Sequence, residues 1–267
     1  MSTEPTAATQ ASSPCGIQAA ASTHVGLVRE HNEDSFALVP EQDLYIVSDG
    51  MGGRAAGDTA SLMVVEALPR LLRQRLGNRP EPGIDLAQEL RSALLDLSQA
   101  VGREAERRVG LAGMGATVVL ALAHGDQLTI AHMGDSRAYR LHAGHLEQLT
   151  EDHSVVAILL RRGEIGPDEV DHHPAKGQIT RYVGMRAVVD PDICTVDFPP
   201  GARLMLCTDG LHGVVPDTTI MASLAEQDRP ADACEQLVEA ALAAGGPDNI
   251  TVLVADRHPT KTADAHG

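Results

Sequence analysis

Apolar residues along this chain switch repeatedly between two periods. Ile17 to Val28 is small and β-branched, and reads as extended chain. Ser35 to Val39 and Leu44 to Ser48 are short apolar runs separated by Pro40 to Asp43, which predicts a hairpin. From Ala55 the period becomes helical, with Leu62, Val65, Leu68, Leu72 and Leu76 on one stripe, and Pro69 is expected to kink or break that helix. After a polar loop from Gly77 to Gly83, Leu86, Leu90, Leu94, Leu97 and Val101 mark a second helix over about Ile84 to Arg108. Strands return at Ala116 to Ala123, Leu128 to Met133 and Ala138 to His142, the first two joined by Gly125-Asp126. Residues 150–186 carry many charges and a weak apolar pattern, and read as a mobile excursion from the core. Strands at Ile193 to Phe198 and Arg203 to Cys207, a helix over Ala231 to Ala243 and a strand at Ile250 to Ala255 complete the pattern. Hairpins dominate and no βαβ alternation is present. The order predicts an α+β domain of antiparallel sheets with helices packed outside, over residues 17–257, between disordered tails at 1–16 and 258–267.

Composition narrows the function. With 267 residues and 43% hydrophobic content the chain can build a full core. Aromatics are only 2% and Trp is absent, so the core rests on aliphatic residues, which argues against a base-stacking platform. The net charge of −16 argues against a phosphate-backbone track, hence no nucleic acid. No apolar stretch is long enough for a membrane span, and residues 1–14 lack the basic start of a secretion signal. Cys15, Cys194, Cys207 and Cys234 show no metal-type spacing and read as free thiols in a cytoplasmic protein.

The chemistry gathers at strand ends. Two apolar runs each stop at Asp-Gly, at Asp49-Gly50 and Asp209-Gly210. Acids also cluster at Glu30, Glu33 and Asp34, and at Asp248-Asn249. Converging carboxylates repel unless a cation lies between them, and hard ions such as Mg2+ and Mn2+ take oxygen ligands. Three or four Asp residues with a backbone carbonyl could hold a two-metal centre. Arg29 beside it offers a bidentate grip for phosphate oxygens.

Taken in order, Gly26-Leu27-Val28-Arg29, Asn32-Glu33-Asp34-Ser35, Asp49-Gly50-Met51-Gly52-Gly53, Gly113 to Thr117, Gly134-Asp135-Ser136-Arg137-Ala138-Tyr139, Leu149 to Ser154, Thr208-Asp209-Gly210 and Gly246 to Thr251 resemble the metal-dependent protein phosphatases of type 2C, in their bacterial serine/threonine branch. The resemblance covers roughly residues 20–256. It implies a four-layer α-β-β-α sandwich, two antiparallel sheets flanked by helical pairs. It implies two core ions, Mn2+ or Mg2+, with Asp49 bridging, Gly50 ligating through its carbonyl, and Asp209 and Asp248 as direct ligands. Glu33 and Asp34 match acids that touch the centre or its waters, and Arg29 matches the phosphate-gripping arginine. Asp135 with Asp209 matches a third, weaker site, and Asn249 orients Asp248. The implied activity is hydrolysis of phosphoserine and phosphothreonine on proteins by a metal-activated bridging water, opposing a bacterial serine/threonine kinase, in a monomer.

Two departures stand out. Where many eukaryotic members carry a His, this chain has Met51, whose thioether cannot give a proton to the leaving oxygen. His153, in the 150–186 flap, is one candidate for that role. His173 to Gln178 also depart from the family pattern, in the segment that shapes substrate choice. A pseudophosphatase is disfavoured because Asp49, Asp209 and Asp248 are all present, and a nuclease because a basic track is missing.

Overall fold

The computed structural model describes residues 7–53 and 56–259. In chain order the strands are β1 (Thr9–Ser12), β2 (Ile17–His24), β3 (Asp34–Val39), β4 (Leu44–Met51), β5 (Gly115–Ala116), β6 (Val118–His124), β7 (Gln127–Met133), β8 (Arg137–His142), β9 (His145–Gln148), β10 (Asp192–Asp197), β11 (Arg203–Cys207) and β12 (Ile250–Arg257). The helices are α1 (Ala56–Leu76), α2 (Leu86–Arg107), α3 (Val155–Arg161), α4 (Asp209–His212), α5 (Asp217–Glu226) and α6 (Pro230–Ala243). One sheet runs β1-β2-β12-β11-β8-β9. The other runs β10-β7-β6-β4-β3, with β5 paired to β4. The strand pairings are antiparallel.

Strand parity builds the layers, because alternate side chains point to opposite faces. On β4, Tyr45 and Val47 enter the core between the sheets, while Leu44 and Ile46 face α1 and α2. On β11 and β12, Leu204, Leu206, Leu253 and Ala255 join the same central core. Met205, Cys207, Val252 and Val254 turn outward to α5 and α6. Strands buried on both faces read as continuous apolar runs. The result is the expected four-layer α-β-β-α sandwich.

Several expectations needed correction. Thr9 to Ser12 is not part of a disordered tail: it pairs with β2 in register from Thr9↔Ala21 to Ser12↔Gln18. Backbone ladder bonds form this edge strand, so its polar composition concealed it. The remaining tail residues, 1–6 and 260–267, lie outside the described residues, as does Ala55. Helix α1 runs unbroken through Pro69. Its buried Val64, Leu68, Leu72 and Leu76 face offsets the roughly 3 kcal/mol an internal proline costs. Leu62 is off that face and half exposed. The 150–186 excursion contains α3, capped by Ser154 through its side chain to the Ala157 N–H, and it returns to the core at the bridges Ser154↔Ile179 and Ala116↔Val183.

Candidate metal centre

The acids collect where β3 and β12 begin and β4 and β11 stop. Asp34 opens β3 and Asp49 lies near the end of β4, and the two are register partners. Gly50 follows on β4, its N–H donating to the Glu33 carbonyl at 3.1 Å. Asp209 is the first residue of α4, one residue past β11. Asp248 and Asn249 immediately precede β12, and Asp135 sits in the turn between β7 and β8. Two close approaches hold these loops together. Gly26 has φ +82°, and a Cβ there would lie 2.2 Å from the Asp248 carbonyl oxygen. A Cβ on Gly210 would lie 1.8 Å from that of Asn249. Only glycine permits either contact.

Asn249 organises the rim. Its side-chain oxygen accepts from the Glu33 N–H at 2.8 Å, and its amide donates to the carbonyls of Val25 and His31 at 2.9 and 2.8 Å. Its own N–H donates to Asp248 Oδ1 at 2.8 Å. That fixes one oxygen of Asp248. The other accepts from the Arg29 guanidinium at 2.7 Å. Asp49 is anchored through its backbone, whose N–H donates to Thr117 Oγ1 at 2.9 Å. Thr117 in turn shares a hydrogen bond with Ser136, next to Asp135, at 2.7 Å.

The electrostatics are those of too many carboxylates in one place. Burial pushes Asp34 up to about 7 against the hydrogen bonds it accepts from Thr251 and Thr208, and Asp209 and Asp248 add to the rise. Burial, then the neighbouring Asp34, Asp209, Asp135 and Asp248, raise Asp49 well above the carboxylate range. Burial and Asp209 push Asp135 up to about 7, and burial and Asp248 push Asp209 up to about 6. Burial and Asp58 raise Glu33. Asp34 Oδ1 and Asp209 Oδ1 are buried without a hydrogen-bond partner. Such a set is unstable as bare anions and suits hard divalent cations with oxygen ligands. The residues therefore fit the metals expected of them.

His153 does not join this cluster. It is 5% exposed. Its Nδ1 accepts from the Gly134 N–H at 3.2 Å, and its Nε2 lies 3.2 Å from Asp192 Oδ2. Burial, then the neighbouring His132, hold it down at about 4. The ring stacks on His132 with centroids 4.5 Å apart and planes 16° from parallel. His132, His153 and Asp192 bring ligand atoms within 4.8 Å of one another, but His132 Nε2 already pairs with the Glu151 carbonyl at 2.9 Å. Arg181 already supplies Asp192 with a cation at 2.6 Å.

Motif reading assigned no role to Thr208 and Thr251, which donate to Asp34 Oδ2 at 2.9 and 2.8 Å. Nor did it find the pair of Arg137 and Asp152, two bonds of 2.8 Å that tie β8 to the start of the flap. All four stand inside the motifs that matched, one to three residues from an acid or histidine already singled out, which was the available signal.

Comparison with known proteins agrees with this geometry. The family model for protein phosphatase 2C matches residues 24–248. The serine/threonine protein phosphatase PstP of Mycobacterium tuberculosis is 39% identical over 240 residues, covering 90% of this chain and 45% of that protein. This chain thus spans about half the length of that relative. The serine/threonine phosphatase stp of Listeria monocytogenes is 37% identical over 246 residues, covering 90% of this chain and 95% of the relative. A crystal structure of the M. tuberculosis PstP phosphatase superposes with a TM-score of 0.82 at 38% identity, covering 91% of this chain and 99% of that one. The PstP catalytic domain in complex with two manganese ions gives 0.81 at 37% identity, covering the same shares. The chain belongs to the protein phosphatase 2C family, in its bacterial serine/threonine branch.

Proposed function

We propose that this chain hydrolyses phosphoserine and phosphothreonine on proteins, using Mn2+ or Mg2+. The observation that carries the reading is the Arg29–Asp248 contact at the rim of a buried carboxylate cluster with two unpartnered oxygens. Asp49, the Gly50 carbonyl, Asp209 and Asp248 would hold two core ions, with Asp34 and Glu33 touching the centre or its waters. Asp135 with Asp209 would hold a third. The ions supply Lewis acidity and ionise water near neutral pH.

The side chains do the rest. The Arg29 side chain is 55% exposed, so its guanidinium keeps donors open to a phosphate while Asp248 sets its direction. Asn249 fixes Asp248, and Thr117 fixes the Asp49 backbone, so the acids need little reorganisation. Neither Asp-Gly acid acts as a nucleophile. Met51 has no proton to give, and both His153 ring nitrogens face protein partners. Neither residue is therefore placed to give the leaving oxygen its proton.

The partners we propose are phosphoproteins and the serine/threonine kinase that modifies them, with the chain acting as a cytoplasmic monomer. No helix among the described residues is long and apolar enough to cross a membrane. Purified chain should hydrolyse phosphoserine and phosphothreonine peptides with added Mn2+. EDTA should abolish that activity, and Asp209→Asn should remove nearly all of it. Full turnover without any divalent ion would end the metal reading. If deleting the gene raises phosphate on no serine or threonine site, the substrate class is wrong.

A further inference from the structure

We infer that Thr208 and Thr251, fed by Thr23 and Asn32, are positioning residues that fix Asp34 so that its Oδ1 oxygen serves the metal centre or its waters. The inference rests on the proposed role of Asp34 at that centre.

The hydrogen bonds have only one consistent direction. Beside bound metal Asp34 is ionised, and an ionised carboxylate accepts and cannot donate. The hydroxyls of Thr208 and Thr251, at 2.9 and 2.8 Å from Asp34 Oδ2, must therefore both donate to it. Thr251 has then used its single proton, so its 2.8 Å contact with Thr23 Oγ1 is one in which Thr23 donates. Thr23 in turn accepts from the Asn32 amide at 2.8 Å. On the other branch, Thr208 Oγ1 accepts from the Thr251 N–H at 3.0 Å. The protons thus line up toward one oxygen from two sides. Asp34 Oδ2 is saturated, and Oδ1 is left buried with no partner.

Topology explains why this needs four segments. Thr23 stands on β2 and Thr251 on the adjacent β12, as register partners in one sheet. Thr208 lies between β11 and α4, while Asp34 belongs to β3 in the other sheet. The relay crosses from one sheet to the other at the strand ends that carry the acids. Thr208 and Thr251 are fully buried, so water cannot replace either hydroxyl. Valine has nearly the shape of threonine but no proton. Either substitution would remove one of the two donors to Oδ2 and loosen the carboxylate.

The test is Mn2+ binding by the intact chain, read as free Mn2+ by electron paramagnetic resonance, with circular dichroism to check folding. Thr208→Val and Thr251→Val should each weaken binding about 10- to 100-fold. Thr208→Ser and Thr251→Ser, which restore the donor, should recover most of it. A purely structural role would lower the melting temperature in EDTA and leave Mn2+ affinity unchanged, and that result overturns the inference. Thr23→Val does not touch Asp34. It should weaken binding in the same direction by a smaller factor, and it serves where Thr251→Val does not fold. Asp34→Asn separates the two levels. If it binds Mn2+ like the unsubstituted chain, the proposed role of Asp34 itself fails. If it loses affinity while the valine variants do not, only the relay fails.

Discussion

Asp34 and Asp49 face each other as register partners across β3 and β4. Two carboxylates side by side on an antiparallel pair repel, and like charges placed there weaken a sheet. The fold keeps them, with Asp209 and Asp248 added from the other sheet.

One consequence is a pH dependence. The raised carboxyls, with Asp34 and Asp135 at about 7 and Asp209 at about 6, bind protons more tightly folded than unfolded. Between about pH 4 and 7 the unfolded chain holds fewer of these protons, so stability from this cluster falls as pH rises. Metal-free protein in EDTA should therefore lose melting temperature across that window. Saturating Mn2+ should restore it, most strongly near pH 7, with release of protons on binding. Calorimetric scans in EDTA and in Mn2+ check this, and a melting temperature that rises with pH in EDTA would contradict it.

Arg29 should matter to substrate far more than to stability. Its pair with Asp248 is solvent-screened, the side chains being 55% and 31% exposed, and such pairs contribute about 0–1 kcal/mol. Arg29→Ala should leave the melting temperature nearly unchanged. It should lower kcat/KM on a phosphothreonine peptide about 10- to 100-fold, the worth of a hydrogen bond to a charged group. Arg29→Lys should recover only part, because an ammonium cannot grip phosphate bidentately.

Gly210→Ala tests a packing constraint. Its Cβ would lie 1.8 Å from the Asn249 carbonyl oxygen, so α4 and the loop before β12 must separate. Overpacking of this kind costs about 1–3 kcal/mol. Because Asp209 and Asp248 ride on those two segments, Mn2+ affinity should fall along with stability in urea. A stability loss with unchanged Mn2+ affinity would show that the segments part without moving the acids.

His153 should prove structural. Burial and its stacked neighbour keep it neutral, at about 4. His153→Gln should lower the melting temperature through loss of the Asp192 and Gly134 contacts. The pH profile of kcat should keep its shape from about pH 6 to 9, since a general acid would leave its own limb there. A lost basic limb would return His153 to the reaction.

Much of the fold was legible because strands buried on both faces read as plain apolar runs and α2 has a clean stripe. The missed elements have identifiable causes. The hairpin from β8 to β9 turns at Ala143-Gly144, with Ala143 at φ 50°, where no Asn or Asp announces it. Helix α5 buries Ile220, Ser223 and Leu224, too short and mixed a stripe to stand out. β1 has no apolar signal at all.

The site divides in the same way. The order of Arg29, Asp49, Asp209 and Asp248 within their motifs named the family and its metals, because those side chains are demanded by the chemistry. What the sequence could not show is which atom of each residue faces which neighbour. Thr23, Thr208 and Thr251 lie far apart along the chain. Thr208 and Thr251 meet Asp34, with Thr23 behind Thr251, only after two sheets have stacked. His153 stood beside the right motif, yet packing turned its ring into protein. Residue type follows from reaction chemistry and is written locally. Direction and protonation come from long-range contacts, and only the tertiary structure decides them.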